Sequence, residues 1–245
     1  MIQYTFSYTK PHRHFIDIEM RVSEHLSSEL IVQLPAWRPG RYELGNFAKN
    51  IQYFKVFDAQ GLPLKFQKIN KDTWKISTAN SSEIVIQYNY YANELNAGST
   101  YLDEIQLYVN PINCCLYVPN RMDEMCIVNL EVPSSYKIAC SLVQDNHQLK
   151  AKNFDELVES PWIASNSLQY NKYSVQGINF HIWFQGKCQL DWNRILKDFQ
   201  AFTSHQINDF NAFPVSEYHF INQILPYKAY HGVEHTSSTV ISLGP

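Results

Sequence analysis

The chain has 245 residues, of which 45% are hydrophobic and 18% are charged, an ordinary composition for a soluble globular protein. Its formal net charge is −3, which argues against a nucleic-acid or anionic-membrane surface, because phosphate binding requires a basic face. The 16 tyrosines and 14 phenylalanines, set against only 8 glycines, favour β-sheet as the main element.

The sequence also indicates the cellular compartment. The N-terminal residues lack the basic and apolar regions of a signal peptide, and no apolar run approaches the roughly 18 residues that span a bilayer. The five cysteines show no C-x-x-C spacing, and their odd number fits free thiols in a reducing compartment. We therefore expect a cytoplasmic protein, with Cys126 and Cys140 serving as small core residues.

From the start of the chain to about residue 165, apolar residues alternate with polar ones, which is the period of half-buried strands. Such strands cover residues 16–22, 84–90 and 126–132. A turn signal at Asp58–Gly61 separates two further apolar segments and predicts a hairpin. Many short strands with frequent turn signals predict an antiparallel β-sandwich over residues 1–165.

The segment Asn153–Trp162 marks the end of this sandwich. It is acidic and contains a Ser-Pro pair, which is typical of a connector. We interpret the carboxylates of Asp155, Glu156 and Glu159 as a solvated face at the start of a helix. Acid–base chemistry is the alternative, but these carboxylates lack a partner that would separate their pKa values.

In the second part of the chain the hydrophobic period changes from two to 3.6. After a strand pair around residues 173–184, apolar residues follow the i, i+3, i+4, i+7 spacing of an amphipathic helix. Asp191 is its predicted N-cap, and the helix is expected to end near Asp209. A strand, a loop and an edge strand that holds Glu234 then complete a second unit, of α+β type, over residues 166–245.

The segment His231–His235, with the sequence His-Gly-Val-Glu-His, matches the inverted zinc motif H-x-x-E-H. That motif requires a helix, because the helical period brings both histidines to one metal ion. Gly232 and the β-branched run after His235 favour a strand, in which the histidines would lie about 13 Å apart. Three interpretations stay open: an inverted zinc motif, a plain structural strand, and a strand that binds a substrate.

Several segments in combination resemble a known family. They are Pro35–Tyr42 (Pro-Ala-Trp-Arg-Pro-Gly-Arg-Tyr), Phe47–Ile51, Asp155–Pro161 and the Glu-His pair at Glu234–His235. Together they resemble the glycyl aminopeptidase family, gluzincin zinc metallopeptidases that carry a C-terminal PDZ domain. The resemblance implies an all-β N-terminal domain, then the start of a thermolysin-like catalytic domain, with peptides as substrates.

In that family a zinc-binding His-Glu-x-x-His helix follows the Glu-His strand, and no such motif occurs in these 245 residues. The resemblance therefore implies zinc in the complete protein and no zinc bound by this chain. We expect the chain to be an inactive N-terminal portion of a metallo-aminopeptidase. The surface that meets the zinc-bearing helices would be uncovered, so we also expect self-association.

The resemblance further implies substrate-binding residues. Glu234 matches the position whose carboxylate holds the α-ammonium group of a peptide, and Gly232 is the glycine that lets the substrate approach the strand. His235 completes this segment. The chain departs from the family's Gly-Gly-Leu-Glu-His at two positions, where His231 and Val233 replace the first glycine and the leucine. No catalytic residue or metal ligand is assigned, and the competing hypothesis is a non-catalytic β-sandwich that binds a peptide or protein.

Overall fold

A computed structural model of the protein describes residues 1–24, 27–38, 43–78 and 81–244. The Pro-Gly-Arg-Tyr part of the first family-like motif, residues 39–42, lies outside the described residues. The described chain is mainly β, with nineteen strands in four sheets and two α-helices.

The first part of the chain contains fourteen strands and one short α-helix. In chain order they are β1 (Ile2–Ser7), β2 (Phe15–Ser23), β3 (Glu29–Gln33), β4 (Ile51–Asp58), β5 (Phe66–Lys68), β6 (Thr73–Ser77), β7 (Glu83–Tyr91), β8 (Tyr101–Leu102), β9 (Gln106–Val109), β10 (Cys126–Leu130), β11 (Lys137–Ala139), β12 (Val143–Asp145), β13 (Gln148–Ala151), α1 (Phe154–Val158) and β14 (Trp162–Ser165). The second part contains β15 (Gln169–Val175), β16 (Ile178–Gln185), α2 (Trp192–Phe210), β17 (Glu217–Ile224), β18 (Tyr230–Glu234) and β19 (Ser238–Leu243).

The largest sheet has seven strands in the order β12-β13-β10-β1-β2-β7-β4. Its alternation confirms the predicted strands, because Ile16, Ile18 and Met20 of β2 are all buried. Its pairs are antiparallel except for β1 and β10, which run parallel with Ile2 beside Cys126. The predicted antiparallel sandwich is therefore confirmed in its sheets, with one parallel pair that periodicity does not show.

A second layer covers one face of the seven-stranded sheet. It consists of a three-stranded sheet, β3-β6-β5, and a four-stranded sheet, β11-β14-β9-β8. An isolated bridge links Gln33 at the end of β3 to Tyr117. The main apolar core lies between the layers, where the ring of Trp162 meets Phe6 edge to face at 5.2 Å.

The predicted hairpin after β4 is present over its first residues, since Pro63 bridges antiparallel to Phe57 and the Leu64 N–H donates to the Val56 carbonyl at 2.9 Å. The Asp58 carboxylate accepts hydrogen bonds from the backbone N–H groups of Gln60 and Leu62, and Gly61 adopts a φ of +80°. These contacts reverse the chain as expected of an Asx-type turn. Beyond the turn, β5 leaves β4 and pairs with β6 in the opposite layer.

The second part of the chain forms a five-stranded sheet in the order β15-β16-β17-β19-β18, with α2 against one face. The buried side chains of Phe180, Ile182 and Phe220 on that face form an apolar cluster with Ile207 of α2. Successive residues on a strand point to opposite faces of a sheet. His219, which comes directly before Phe220, therefore lies on the face opposite α2.

Helix α2 agrees with its prediction. The Asp191 side chain caps it by accepting a hydrogen bond from the backbone N–H of Arg194 at 3.1 Å. The helix ends at Phe210, one residue beyond the predicted end, where Asn211 takes a left-handed conformation with a φ of +51°. Local capping chemistry is therefore sufficient to place both ends of this helix.

An apolar cluster joins the five-stranded sheet to the sandwich. Ile163 of β14 belongs to it together with Ile221 of β17 and Val240 of β19. The exposed residues Asn166–Ser167 connect β14 to β15. A division of the chain at residues 165 and 166 stays a prediction, and the shared cluster shows that the two parts would bury apolar surface against each other.

Two sequence features used to predict the cellular compartment can be compared with the structure. Within the described residues, no helix combines the length and apolarity that crossing a membrane requires. All five cysteines are unpaired, and the expected core positions of Cys126 and Cys140 are confirmed because both side chains are buried.

Candidate functional site

Strand β18 forms one edge of the five-stranded sheet. It pairs antiparallel with β19, whereas β16, β17 and β19 are parallel to one another. The outer backbone edge of β18 has no neighbouring strand within the described residues. Such an edge presents N–H and C=O groups that can pair with an extended peptide.

The segment His231–His235 does not form the helix that an inverted zinc motif requires. Residues up to Glu234 lie in β18, and His235 opens a turn in which its N–H donates to the Ser238 carbonyl at 2.8 Å. The β-branched run after His235 forms the separate strand β19 and folds back onto β18. The sequence pattern predicts strand for both segments but does not show the turn between them.

Glu234 is exposed on the sheet face that carries Thr239, its partner on β19. The Tyr218 hydroxyl and the Thr239 hydroxyl form a hydrogen bond of 2.5 Å on this face. Burial raises the pKa of Tyr218, and the negative charge of Glu234 raises it further. The Glu234 carboxylate therefore lies within electrostatic reach of this hydroxyl pair and is open to a cation from solvent.

Gly232 lies two residues before Glu234 on the same face and is also exposed. A Cβ at this position would lie 3.7 Å from the carbonyl oxygen of Val240 and 3.9 Å from Cγ1 of Ile241, which are ordinary contacts. The fold itself therefore does not require glycine here. Its absent side chain leaves the backbone of β18 accessible beside Glu234.

His235 points in the opposite direction, toward the sandwich. Its side chain is 5% exposed, and its Nδ1 lies 3.6 Å from Oε2 of Glu159, in the segment after α1. The backbone N–H of Thr236 donates to the same carboxylate oxygen at 3.3 Å. The close approach of His235 lowers the pKa of Glu159, although burial acts against it.

The contact with His235 corrects the interpretation of Glu159 as part of a solvated acidic face. Its side chain is 28% exposed and holds the turn between β18 and β19 against the sandwich. The expected helix start is confirmed, since Asn153 caps α1 by accepting from the Glu156 N–H at 2.8 Å. The separation of 77 positions between Glu159 and Thr236 explains why the local sequence does not indicate this contact.

The residues of the β18 segment do not suit a catalytic zinc ion. Zinc requires three or more nitrogen, sulfur or oxygen ligands that converge on one point. His235 is directed at Glu159, and Glu234 lies on the other face of the strand. Within the described residues, one group of three ligating side chains lies close enough to share an ion, and it includes none of His231, Glu234 and His235.

A protein family and several solved structures resemble this chain. The family described as Peptidase M61 N-terminal domain matches residues 3–166. No curated protein matches this chain in sequence. An aminopeptidase N family protein from Idiomarina loihiensis is 25% identical to it with a TM-score of 0.92, over 100% of this chain and 42% of that protein.

Two more distant structures share the fold alone. An M1 zinc metallopeptidase from Deinococcus radiodurans is 12% identical with a TM-score of 0.56, over 98% of this chain and 59% of that protein. The native yeast LTA4 hydrolase is 11% identical with a TM-score of 0.50, over 98% of this chain and 40% of that protein. The chain thus spans between 40% and 59% of the length of these three proteins. The structural match extends over both the β-sandwich and the five-stranded sheet of this chain.

Proposed function

Because the chain belongs to the Peptidase M61 N-terminal domain family through residues 3–166, we propose that it is the substrate-recognising N-terminal portion of a zinc-dependent metallo-aminopeptidase. The observation that carries this proposal is an open antiparallel edge strand, β18, with an exposed carboxylate at Glu234 and a bare backbone at Gly232. The likeness to an aminopeptidase N family protein over the whole of this chain supports the same assignment.

A peptide substrate would bind as an additional strand along the outer edge of β18. Backbone hydrogen bonds to an edge strand are independent of the peptide's side chains, so they supply general affinity for extended peptides. Gly232 lets the peptide backbone approach without a steric obstacle. The free α-ammonium group would then donate charge-assisted hydrogen bonds to Glu234, which selects the N-terminus over internal residues.

His235 has a supporting role in this proposal. Its contact with Glu159 fixes the turn that follows Glu234, so the carboxylate projects from a strand end that is held at two points. Substrate-positioning groups must be held rigidly, because small displacements weaken a bidentate or charge-assisted contact. We therefore place His235 behind the binding surface and not on it.

The zinc ion belongs to the proposal for the complete protein. We assign substrate recognition to this chain, and we propose that other residues of the complete protein bind the zinc ion. A PDZ domain and a preference for glycyl peptides are part of the same proposal, on the resemblance of the sequence motifs. The five unpaired cysteines support the proposed cytoplasmic location, since free thiols persist in reducing compartments.

Peptide binding by this chain tests the proposal directly. A tripeptide with a free N-terminus and its N-acetylated counterpart would be titrated into 15N-labelled protein, with backbone amide shifts as the readout. We expect the free tripeptide to shift resonances of β18. The acetylated tripeptide should bind at least about tenfold more weakly, since hydrogen bonds to charged groups contribute about 1.5–3 kcal/mol.

Glu234→Gln should remove this discrimination, because it keeps the shape of the side chain and removes its charge. Glu104→Gln is the matched control, since Glu104 is also an exposed glutamate but lies in the sandwich part of the chain. Equal binding of both tripeptides at β18 would favour the competing hypothesis, a non-catalytic peptide-binding module. Absence of any shift in β18 would contradict recognition by this strand.

A further inference from the structure

The face of the five-stranded sheet opposite α2 carries a cluster that the peptidase proposal does not use. The parallel pairing of β16 and β17 places His181 directly beside His219, with ring centroids 4.3 Å apart and an angle of 15° between the rings. Glu217 precedes His219 by two residues and so points to the same face. One ligating atom from each of these three side chains lies within 4.8 Å of the other two.

The cluster opens into a cleft of about 1050 Å3 between the sheet and the sandwich. The sandwich contributes Tyr136 and His147 to the walls of the cleft, among other residues. The side chains of His181 and Glu217 are 15% and 59% exposed, and His219 is buried. An ion can therefore enter from the side of the carboxylate and meet the two histidines at the wall.

Burial disfavours the charged form of both histidines. Burial, with a smaller contribution from neighbouring His181, lowers the pKa of His219 to about 3. Burial also lowers the pKa of His181, with a smaller contribution in the same direction from Lys172 and an opposite one from Glu217. A neutral imidazole carries a lone pair on one ring nitrogen, and histidine binds metal ions through that lone pair.

The hydrogen bonds of the two rings select the nitrogens that are available. Nδ1 of His181 lies 2.9 Å from the Tyr170 hydroxyl, while its Nε2 is buried without a hydrogen-bond partner in the described part of the chain. This Nε2 lies 3.9 Å from Oε2 of Glu217. Nδ1 of His219 accepts a hydrogen bond from the indole N–H of Trp183 at 3.2 Å, so in this arrangement Nε2 carries the ring proton and would bind an ion only after the ring changes tautomer.

We propose that His181, Glu217 and His219 bind a divalent transition-metal ion such as Zn²⁺, Ni²⁺ or Cu²⁺ through the two Nε2 atoms and the carboxylate. Two imidazoles and one carboxylate suit these ions, whereas Mg²⁺ and Ca²⁺ prefer oxygen ligands. Ligand atoms around a tetrahedral zinc lie roughly 3.4 Å apart. Because the two rings stack nearly parallel, their Nε2 lone pairs are also nearly parallel, so one ring must turn and the exposed Glu217 side chain must move to bring the three ligand atoms to this distance.

Two residues around the rings have opposite effects in this site. With Nδ1 of His181 protonated, the Tyr170 hydroxyl accepts its hydrogen and orients the ring for binding, as carboxylates and carbonyls do for other metal-bound histidines. When Nε2 of His219 binds the ion, its Nδ1 must carry the proton. The Trp183 N–H would then face a second donor, so Trp183 opposes metal binding.

Calorimetric titration of the full chain with Zn²⁺ and Ni²⁺ at pH 7.5 tests the site. We expect one equivalent of either ion to bind and Glu217→Gln to weaken the affinity by about tenfold or more, the lower range seen when metal sites lose a supporting group. Trp183→Phe should tighten binding, because it removes the competing donor and keeps an aromatic ring. Thermal unfolding of each variant would verify that it is folded.

His205→Ala is the matched control, because His205 and Asp209 form an exposed surface pair on α2 at 3.3 Å. Its affinity for both ions should equal that of the unmodified chain. The proposal is overturned if neither ion binds, if Glu217→Gln leaves the affinity unchanged, or if His205→Ala abolishes binding. A Trp183→Phe variant with unchanged affinity would overturn the assignment of Nε2 of His219 as the ligand.

Discussion

The sandwich core and the layer formed by α2 differ in how completely they are enclosed. In the sandwich, Tyr4 and Phe6 are fully buried, and the Tyr4 hydroxyl donates to the Leu116 carbonyl at 2.7 Å. In α2, two of nineteen residues are buried, while Phe202 is 40% exposed and Phe210 80% exposed. The helix has a regular apolar period, yet most of its apolar residues remain partly accessible.

A hydrophobic period therefore predicts the type of an element but not the depth of its burial. A strand in a two-layer sandwich is covered by the opposite layer over its whole apolar face. A helix on one face of a sheet is covered only along the stripe that touches the strands. Stability should therefore be concentrated in the sandwich, and binding surfaces in the second part of the chain.

A core substitution in the sandwich should destabilise the protein most. Phe6→Ala should lower the free energy of unfolding by about 3–5 kcal/mol, because it opens a cavity against Trp162 that the surrounding strands cannot fill. Phe202→Ala in α2 is the matched variant, and it should cost about 1 kcal/mol or less, since that ring is already part exposed. Equal losses in denaturant unfolding would show that the helix layer is as enclosed as the sandwich.

The second effect concerns the open edge strand in the complete protein. Glu234→Gln should lower kcat/KM by about ten- to a hundredfold for peptides with a free N-terminus, if a charge-assisted hydrogen bond of roughly 1.5–3 kcal/mol is lost. N-blocked peptides should be little affected. The same loss for both kinds of peptide would mean that Glu234 supports the strand without binding the amine.

The third effect concerns the stabilising contributions of two carboxylates, Glu124 and Glu159, which should be lost at different pH values. Hydrogen bonds from Arg121, the nearer of them 2.6 Å long, lower the pKa of Glu124 in the sandwich to about 2. Such a carboxylate stabilises the fold above its ordinary pKa and loses this contribution as pH falls through its folded value. Glu124→Gln should therefore cost about 1–2 kcal/mol at neutral pH, a cost that disappears only near pH 2.

The contribution of Glu159 to the free energy of unfolding should change with pH in the same direction, but over a narrower pH range. Its folded pKa is lowered mainly by His235, so its contribution is present above the ordinary glutamate pKa and is lost at a lower pH. Glu159→Gln should cost about 1 kcal/mol near pH 6, and the difference should vanish on acidification. Urea unfolding of both variants from pH 2 to pH 7 measures this. A Glu159→Gln loss that persists in acid would assign its role to packing.

The smallest effects should be those on proteolysis of the connector between β14 and β15 and on self-association through the exposed side of α2. Limited proteolysis should cut first near Asn166–Ser167 and release a stable fragment of about the first 165 residues, because nicking concentrates in exposed connectors. Resistance at this point would show that the shared apolar cluster fuses the two units. Light scattering should detect weak self-association, reduced by Phe210→Ser, since Phe210 is 80% exposed.

The elements that the sequence predicts correctly are those fixed by near neighbours. The alternation in β2, the cap at Asp191 and the turn at Asp58 depend on residues within a few positions of one another. For the site, the strand that holds Glu234 is predicted, because β-branched residues and Gly232 exclude a helix. Its position at the sheet edge also agrees with the prediction.

What the sequence does not predict depends on residues far apart along the chain. The contact between Glu159 and His235, and the stacking of His181 on His219, arise only when the sheets assemble. The turn between β18 and β19 contains no Gly or Pro that would indicate it in the sequence. Acidic residues in a connector are most often solvated, which is why the structural role of Glu159 is missed.

The parallel pair β1–β10 has a consequence for the order of folding. Strand β1 lies between β2 and β10, so one of its hydrogen-bonding edges is satisfied by its immediate successor and the other by residues made about 120 positions later. During synthesis, the β1–β2 hairpin can form early, but its free edge stays open until β10 leaves the ribosome. Such an unpaired edge is exposed to association with other chains, so aggregation during folding should be most sensitive to the residues of β1.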